Sequence, residues 1–150
     1  MSQPENPLLV FDLPVGSYAL PVSLSAEILD APHGYPIPGA TPFLAEAINV
    51  QGRAVPLLDL ARFVDPDLST PAGKVVLLRA EVADLAIKAG SVVCISAADQ
   101  VMGGATGAEP YVVPVVITNK SVKLLDLPRL LNCLEQAIEA EERTAKGGET

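Results

Sequence analysis

His33, Cys94, Cys133, the stretch Gly103-Gly-Ala-Thr-Gly107 and the carboxylates Asp59 and Asp126 are the residues whose types could support chemistry in this chain. None of them forms a working set. A zinc site needs several Cys or His ligands at close spacing, and the single histidine stands far from both cysteines, so His33 reads as a loop residue. The cysteines fall in an apolar run and in a helical pattern, where free buried thiols are expected. The glycine stretch lacks the Gly-Lys-Ser/Thr ending of a phosphate loop and reads as a connector. No elbow motif surrounds a serine that could act as a nucleophile. Asp59 and Asp126 each precede an apolar run in one of two similar segments, so they read as helix N-caps and not as a catalytic pair. The expectation is a non-enzyme with no metal, cofactor or catalytic residue. Arg53 and Arg62 remain as polar candidates for contact with a partner.

The elements that hold these residues are mostly strands. The chain is 49% hydrophobic but only 4% aromatic, so its core must be aliphatic. Runs such as Val75-Val76-Leu77-Leu78 and Val112-Val113 suit a pleated sheet, because β-branched side chains pack well there. Residues 8–13 and 18–22 read as a strand pair around the turn Pro14–Ser17, followed by a helical turn from Ser23 or Ser25 to Leu29. Six prolines and glycines between Ala31 and Pro42 predict an extended loop. Residues 45–50 and 53–58 flank Gln51-Gly52, a two-residue hairpin turn in which glycine supplies positive φ. A short helix follows over 60–64. Beyond a polar link at 65–73, strands are predicted over 74–80, 84–89 and 91–96. A glycine-rich loop covers 98–110, and a second hairpin over 111–125 turns at Thr118-Asn119. Leu127, Leu130, Leu131, Leu134 and Ile138 share one face of a final helix, with Pro128 in its first turn.

The formal net charge of −8 would repel phosphate backbones, so nucleic acid is not expected as a partner. No apolar run approaches the roughly 20 residues that span a bilayer. Residues 1–7 lack the charged start and apolar stretch of a secretory signal. Cytoplasmic residence without direct membrane insertion is the expectation.

Two segments echo each other. Residues 51–64 laid on 118–131 match at Val55/Val122, Leu57/Leu124, Leu58/Leu125, Asp59/Asp126, Leu60/Leu127 and Arg62/Arg129, at a constant spacing of 67 residues (126 minus 59). Each copy encodes a hairpin turn, an apolar strand, an Asp cap and a helix. Such an echo predicts two similar β units packed together, with a groove where they meet.

The run Pro38-Gly-Ala-Thr-Pro-Phe-Leu-Ala-Glu-Ala-Ile-Asn-Val-Gln-Gly-Arg-Ala-Val-Pro-Leu-Leu-Asp-Leu60 resembles the CheW family pattern: a proline-rich approach, Ile-Asn-Leu-Arg-Gly, then Val-Pro-Val-Val-Asp-Leu. Lys120-Ser-Val-Lys-Leu-Leu-Asp-Leu127 before a helix is the second support. The resemblance implies a mainly β fold of two small five-stranded barrel-like subdomains sharing a core, with short helices and a C-terminal helix. The whole chain, 1–150, would be one CheW-like domain. Its first subdomain would span about 15–70 and its second 71–134, joined by strand 8–13, with a helix end and polar tail at 135–150. The resemblance also implies an adaptor coupling chemoreceptor tips to the regulatory domain of a CheA-type histidine kinase, within arrays beneath the inner membrane. An adaptor of a pilus-motility or other two-component pathway, with altered receptor contact, is the alternative. The chain departs from the family pattern at four places. Gln51 stands where the family has a receptor-associated Arg, Glu46 where it has a Gly, and Val113 where the second unit has the matching Gly. No Leu-Val-Asp motif is recognisable near 86–90. Glu46, Gln51, Arg53, Arg62 and Val113 are the candidate partner-binding residues, and Asp59 and Asp126 the structural caps.

Overall fold

The computed structural model describes residues 7–96, 100–101, 109–117 and 119–147. Most of the glycine-rich stretch 98–110, the turn residue Thr118 and the environment of Cys94 lie outside the described residues. The chain is mainly β. The strands are β1 Leu8–Leu13, β2 Gly16–Pro21, β3 Ser25–Asp30, β4 Gly34–Pro36, β5 Glu46–Val50, β6 Arg53–Leu58, β7 Lys74–Leu78, β8 Ala86–Ser96, β9 Gln100–Val101, β10 Val112–Ile117 and β11 Lys120–Leu125. The helices are α1 Leu60–Val64 and α2 Leu127–Gly147.

Strand pairing builds two units with one order. The first runs β3-β7-β8-β6-β5-β4, with β6 and β8 parallel and the other pairs antiparallel. The second runs β8-β1-β2-β11-β10-β9, with β2 and β11 parallel. β8 belongs to both. Its first half pairs with β7 and β6, and its second half with β1. The crossover lies at Gly90, whose φ of +64° suits glycine and where a Cβ would come within 3.2 Å of the Asp12 carbonyl oxygen. Gly73 packs against the Gly90 backbone so closely that a Cβ there would sit 2.5 Å from the Gly90 oxygen.

Three expectations are corrected. The strands expected over 84–89 and 91–96 are one strand, Ala86–Ser96, because Gly90 redirects the backbone without breaking the ladder. The turn from Ser25 to Leu29 is strand β3: helix is confined to a 3-10 turn at Val22–Leu24, whose Val22 carbonyl accepts from the Ser25 hydroxyl. β7 supplies the partner that local propensity could not foresee. The expected subdomain ranges 15–70 and 71–134 do not match the pairing, since β7 completes the first unit while β2 lies in the second. The proline-rich loop also contains β4, hydrogen-bonded to β5.

One aliphatic core joins the units. Val76, Leu78, Leu58 and Ile87 of the first meet Leu9, Phe11, Tyr18, Leu20 and Leu125 of the second, and Leu127, Leu130 and Leu134 of α2 close it. Each fully buried leucine contributes about 1.5–3 kcal/mol relative to exposure. Leu131, Ala137 and Ile138 pack at its margin, so the apolar stripe of α2 faces the body of the protein. Each unit keeps a smaller cluster of its own, around Ile48, Val55 and Val75 in the first and Val10, Val115 and Val122 in the second.

The echo in sequence is an echo in structure. Asp59 N–H donates to the Phe43 carbonyl and Asp126 N–H to the Tyr111 carbonyl. Each Asp caps its helix by accepting from Arg62 N–H or Arg129 N–H. Leu57 pairs in parallel with Ala86, and Leu124 with Ala19.

Candidate functional site

Asp59 organises the polar face of the first unit. It is 5% exposed. Its carboxylate accepts from Arg62 N–H at 3.2 Å, Thr70 N–H at 3.1 Å and the Thr70 hydroxyl at 2.9 Å. Capping explains the first bond. The other two tie the link at 65–73 to the start of α1, a role that spacing alone does not suggest. Lys88, on β8, extends its ammonium to 4.0 Å from Asp59 and 3.6 Å from Glu46. The Glu46 carboxylate rests on Gly34 of the neighbouring strand, where a Cβ would come within 2.9 Å of Oε1.

Glu46 and Lys88 thereby stand between two clefts. One, of about 400 Å³, is lined by Phe43, Glu46, Asp59, Arg62, Thr70 and Lys88. The other, of about 450 Å³, is lined by His33, Gly34, Glu46, Gly73, Lys74 and Lys88. Arg62 donates from Nη1 to the Pro66 carbonyl at 3.2 Å and has no carboxylate partner for its guanidinium among the described residues. The structure therefore brings Glu46 and Arg62 to one cleft, together with Lys88, which the sequence does not single out.

Gln51 and Arg53 lie elsewhere, at the β5–β6 turn. Gln51 and Gly52 both have positive φ, and the Asn49 side chain accepts from Gly52 N–H at 2.8 Å. Gln51 is exposed, and Arg53 pairs with Asp84 at 3.3 Å across open surface, an interaction of little energetic weight. Nearby, Tyr35 is 54% exposed and meets His33 edge-on at 4.6 Å, which places the loop histidine beside an exposed aromatic. Val113 sits in the second unit on β10, opposite Leu124, as Glu46 sits opposite Leu57. It lines neither of the two clefts described above. Asp126 caps α2 and lies 3.6 Å from Arg129.

The second unit carries a different polar set. The Tyr18 hydroxyl donates to Glu109 at 2.8 Å, Lys123 pairs with Glu109 at 2.7 Å, and the Lys123 ammonium lies 5.3 Å from the centre of the Tyr18 ring. Burial pushes the Tyr18 hydroxyl well above the usual tyrosine range, and the Glu109 carboxylate adds to the shift. Tyr111 is raised in the same way, by burial first and then by Glu109. Tyr18 and Glu109 are 91 residues apart, and no local pattern could have joined them.

Two free edges complete the surface. Among the described residues, β3 pairs only with β7, and the second half of β8 only with β1. Ile28 on β3 is 41% exposed, and Ile95 on β8 is 61% exposed. Ile28 faces Val76 in register and Ile95 faces Leu9, which are matching positions of the two units. Sequence reasoning misses both, the first because β3 reads as helix. Among the described residues no three metal-ligating side chains cluster, and no helix is long and apolar enough to cross a membrane.

The model of the CheW-like domain matches residues 7–138. Among solved structures, the scaffolding protein TtCheW from Thermoanaerobacter tengcongensis superposes with a TM-score of 0.69 at 15% identity. The match covers 83% of this chain and 86% of that one. At that identity the likeness concerns the fold. No curated protein sequence matches the chain.

Proposed function

This chain belongs to the CheW-like domain family, a family of chemotaxis scaffolds, and from that premise we propose that it is a non-catalytic adaptor coupling a CheA-type histidine kinase to chemoreceptors. The pair of free edges carries the reading. An unpaired edge with an exposed apolar side chain is a template for association. Ile28 and Ile95 occupy matching places on two such edges. A kinase regulatory domain of the same CheW-like type offers similar edges, so a unit of each protein can meet a unit of the other. The adaptor then works at the cytoplasmic face of a receptor array and transforms no substrate.

Calorimetric titration with the cognate kinase regulatory domain tests this. A complex of micromolar affinity or tighter is expected, weakened about tenfold or more by Ile28→Glu or Ile95→Glu if these are anchors of the contact. Both variants should melt close to the parent, since each side chain is exposed. The absence of a complex, or indifference to both substitutions, would sink the proposal.

A second reading, an adaptor of a pilus-motility or other two-component pathway with retuned receptor contact, draws on Gln51 and on Glu46 held by Lys88. A glutamine keeps hydrogen bonding but loses the charge and fork of arginine. Gln51→Arg with Glu46→Gly should then raise affinity for a receptor tip. No change in affinity would remove these two positions from the receptor contact.

A further inference from the structure

We propose that the cleft between Arg62 and Lys88 receives a carboxylate side chain of the docking partner, an inference that rests on the adaptor reading and names the chemistry of one contact. Both acidic groups of the cleft are already engaged. Asp59 takes Arg62 N–H, Thr70 N–H and the Thr70 hydroxyl, and Glu46 faces Lys88. The spare capacity is that of donors. Arg62 offers a guanidinium with five N–H groups, of which one contact, Nη1 to the Pro66 carbonyl, is made among the described residues. Lys88 stands 3.6 and 4.0 Å from its two carboxylates, too long for a tight charge-assisted hydrogen bond. The exposed Ser69 also lines the cleft.

A planar guanidinium beside a flexible ammonium matches a carboxylate, which can take the fork in bidentate fashion. A dianionic phosphate would meet Glu46 and Asp59 on the same wall, so the singly charged acid is the better fit. Glu46 acts as the internal competitor: it holds Lys88 until an incoming acid shares it.

The full chain and the cognate kinase regulatory domain, titrated at low and at physiological salt, give the test. Arg62→Gln and Lys88→Gln should each weaken binding about five- to tenfold and flatten its salt dependence. Arg62→Lys should keep the salt dependence and lose some of the affinity, since charge remains and the fork is gone. Glu46→Gln should tighten binding about twofold by freeing Lys88. An acid-to-amide scan of the partner should then find one position whose loss is non-additive with Arg62→Gln. If the parent binds and Arg62→Gln binds equally well with the same salt dependence, the carboxylate assignment is overturned while the adaptor reading stands. A scan with no coupled acid overturns it too. If the parent forms no complex, the adaptor reading falls and takes this inference with it. Thermal melting identifies any variant that fails to fold; should Arg62→Gln be one, Arg62→Lys and the partner scan decide the matter.

Discussion

The two units share a backbone plan and differ in what they hang on it. At the place of Glu46 in the first unit the second has Val113, and the caps Asp59 and Asp126 hold matching backbone bonds. Asp59 is buried and also binds Thr70, whereas Asp126 is only half-buried and has Arg129 alone as its charged neighbour among the described residues. Register also aligns Tyr18 with Leu85, and the cap bonds align Tyr111 with Phe43. The first unit therefore keeps its charges at open clefts, where a partner can reach them. The second places two phenols around Glu109 inside the joint core. Backbone hydrogen bonds set the unit, and side-chain chemistry sets which polar groups it holds and where.

The sharpest way to break this comparison is to remove the caps. Asp59→Ala leaves Thr70 N–H, the Thr70 hydroxyl and Arg62 N–H without their acceptor, and should cost about 3 kcal/mol. Asp126→Ala removes a half-exposed cap and should cost about 1 kcal/mol. Denaturant unfolding of both variants measures the ratio, and equal losses would make the two units equivalent after all.

Alkaline titration probes the second unit alone. The folded-state pKa values of Tyr18 and Tyr111 lie above the ordinary tyrosine value of 10.0. Below that value the folded and unfolded chains hold the same phenolic protons, and the contribution to stability is fully present. As pH climbs past it the unfolded chain ionises first and binds fewer protons, so stability is lost as pH rises toward the raised values. The slope should approach about 1.4 kcal/mol per pH unit for each tyrosine. Tyr18→Phe with Tyr111→Phe should flatten the curve, and ultraviolet absorbance should show these phenols ionising only as the chain unfolds.

The hairpins give the smallest effect. Gln51 and Asn119 both have positive φ, a region that asparagine tolerates better than glutamine. Gln51→Asn should stabilise the chain by about 0.5 kcal/mol and Asn119→Gln destabilise it by a similar amount, read as opposite shifts in melting temperature.

Much of this is legible in the residues. Gln51-Gly52, the two Leu-Leu-Asp-Leu segments and the stripe from Leu127 to Ile138 declare turns, caps and a helix face through local stereochemistry. The motif around residues 38–60 carries the family resemblance without any knowledge of the fold. Of the candidate site, Glu46 and Arg62 stand out in the sequence but Lys88, their neighbour in the cleft, does not, because a lysine in an apolar strand carries no sign of what it will face. β3 reads as helix because Ser25 to Asp30 lacks a strict alternation, as suits an edge strand with little to bury.

From the sequence alone came the mainly β character, the twin hairpin–helix units, the caps and the family, since each rests on neighbours within a few residues or on a repeated pattern. Tertiary structure alone decided that β8 serves both units, that Asp59 restrains Thr70, that Tyr18 meets Glu109, and that Glu46 and Lys88 come together between neighbouring clefts. These pairings join residues far apart along the chain. Chain geometry leaves such partners open until the common aliphatic core closes and brings them within hydrogen-bonding distance.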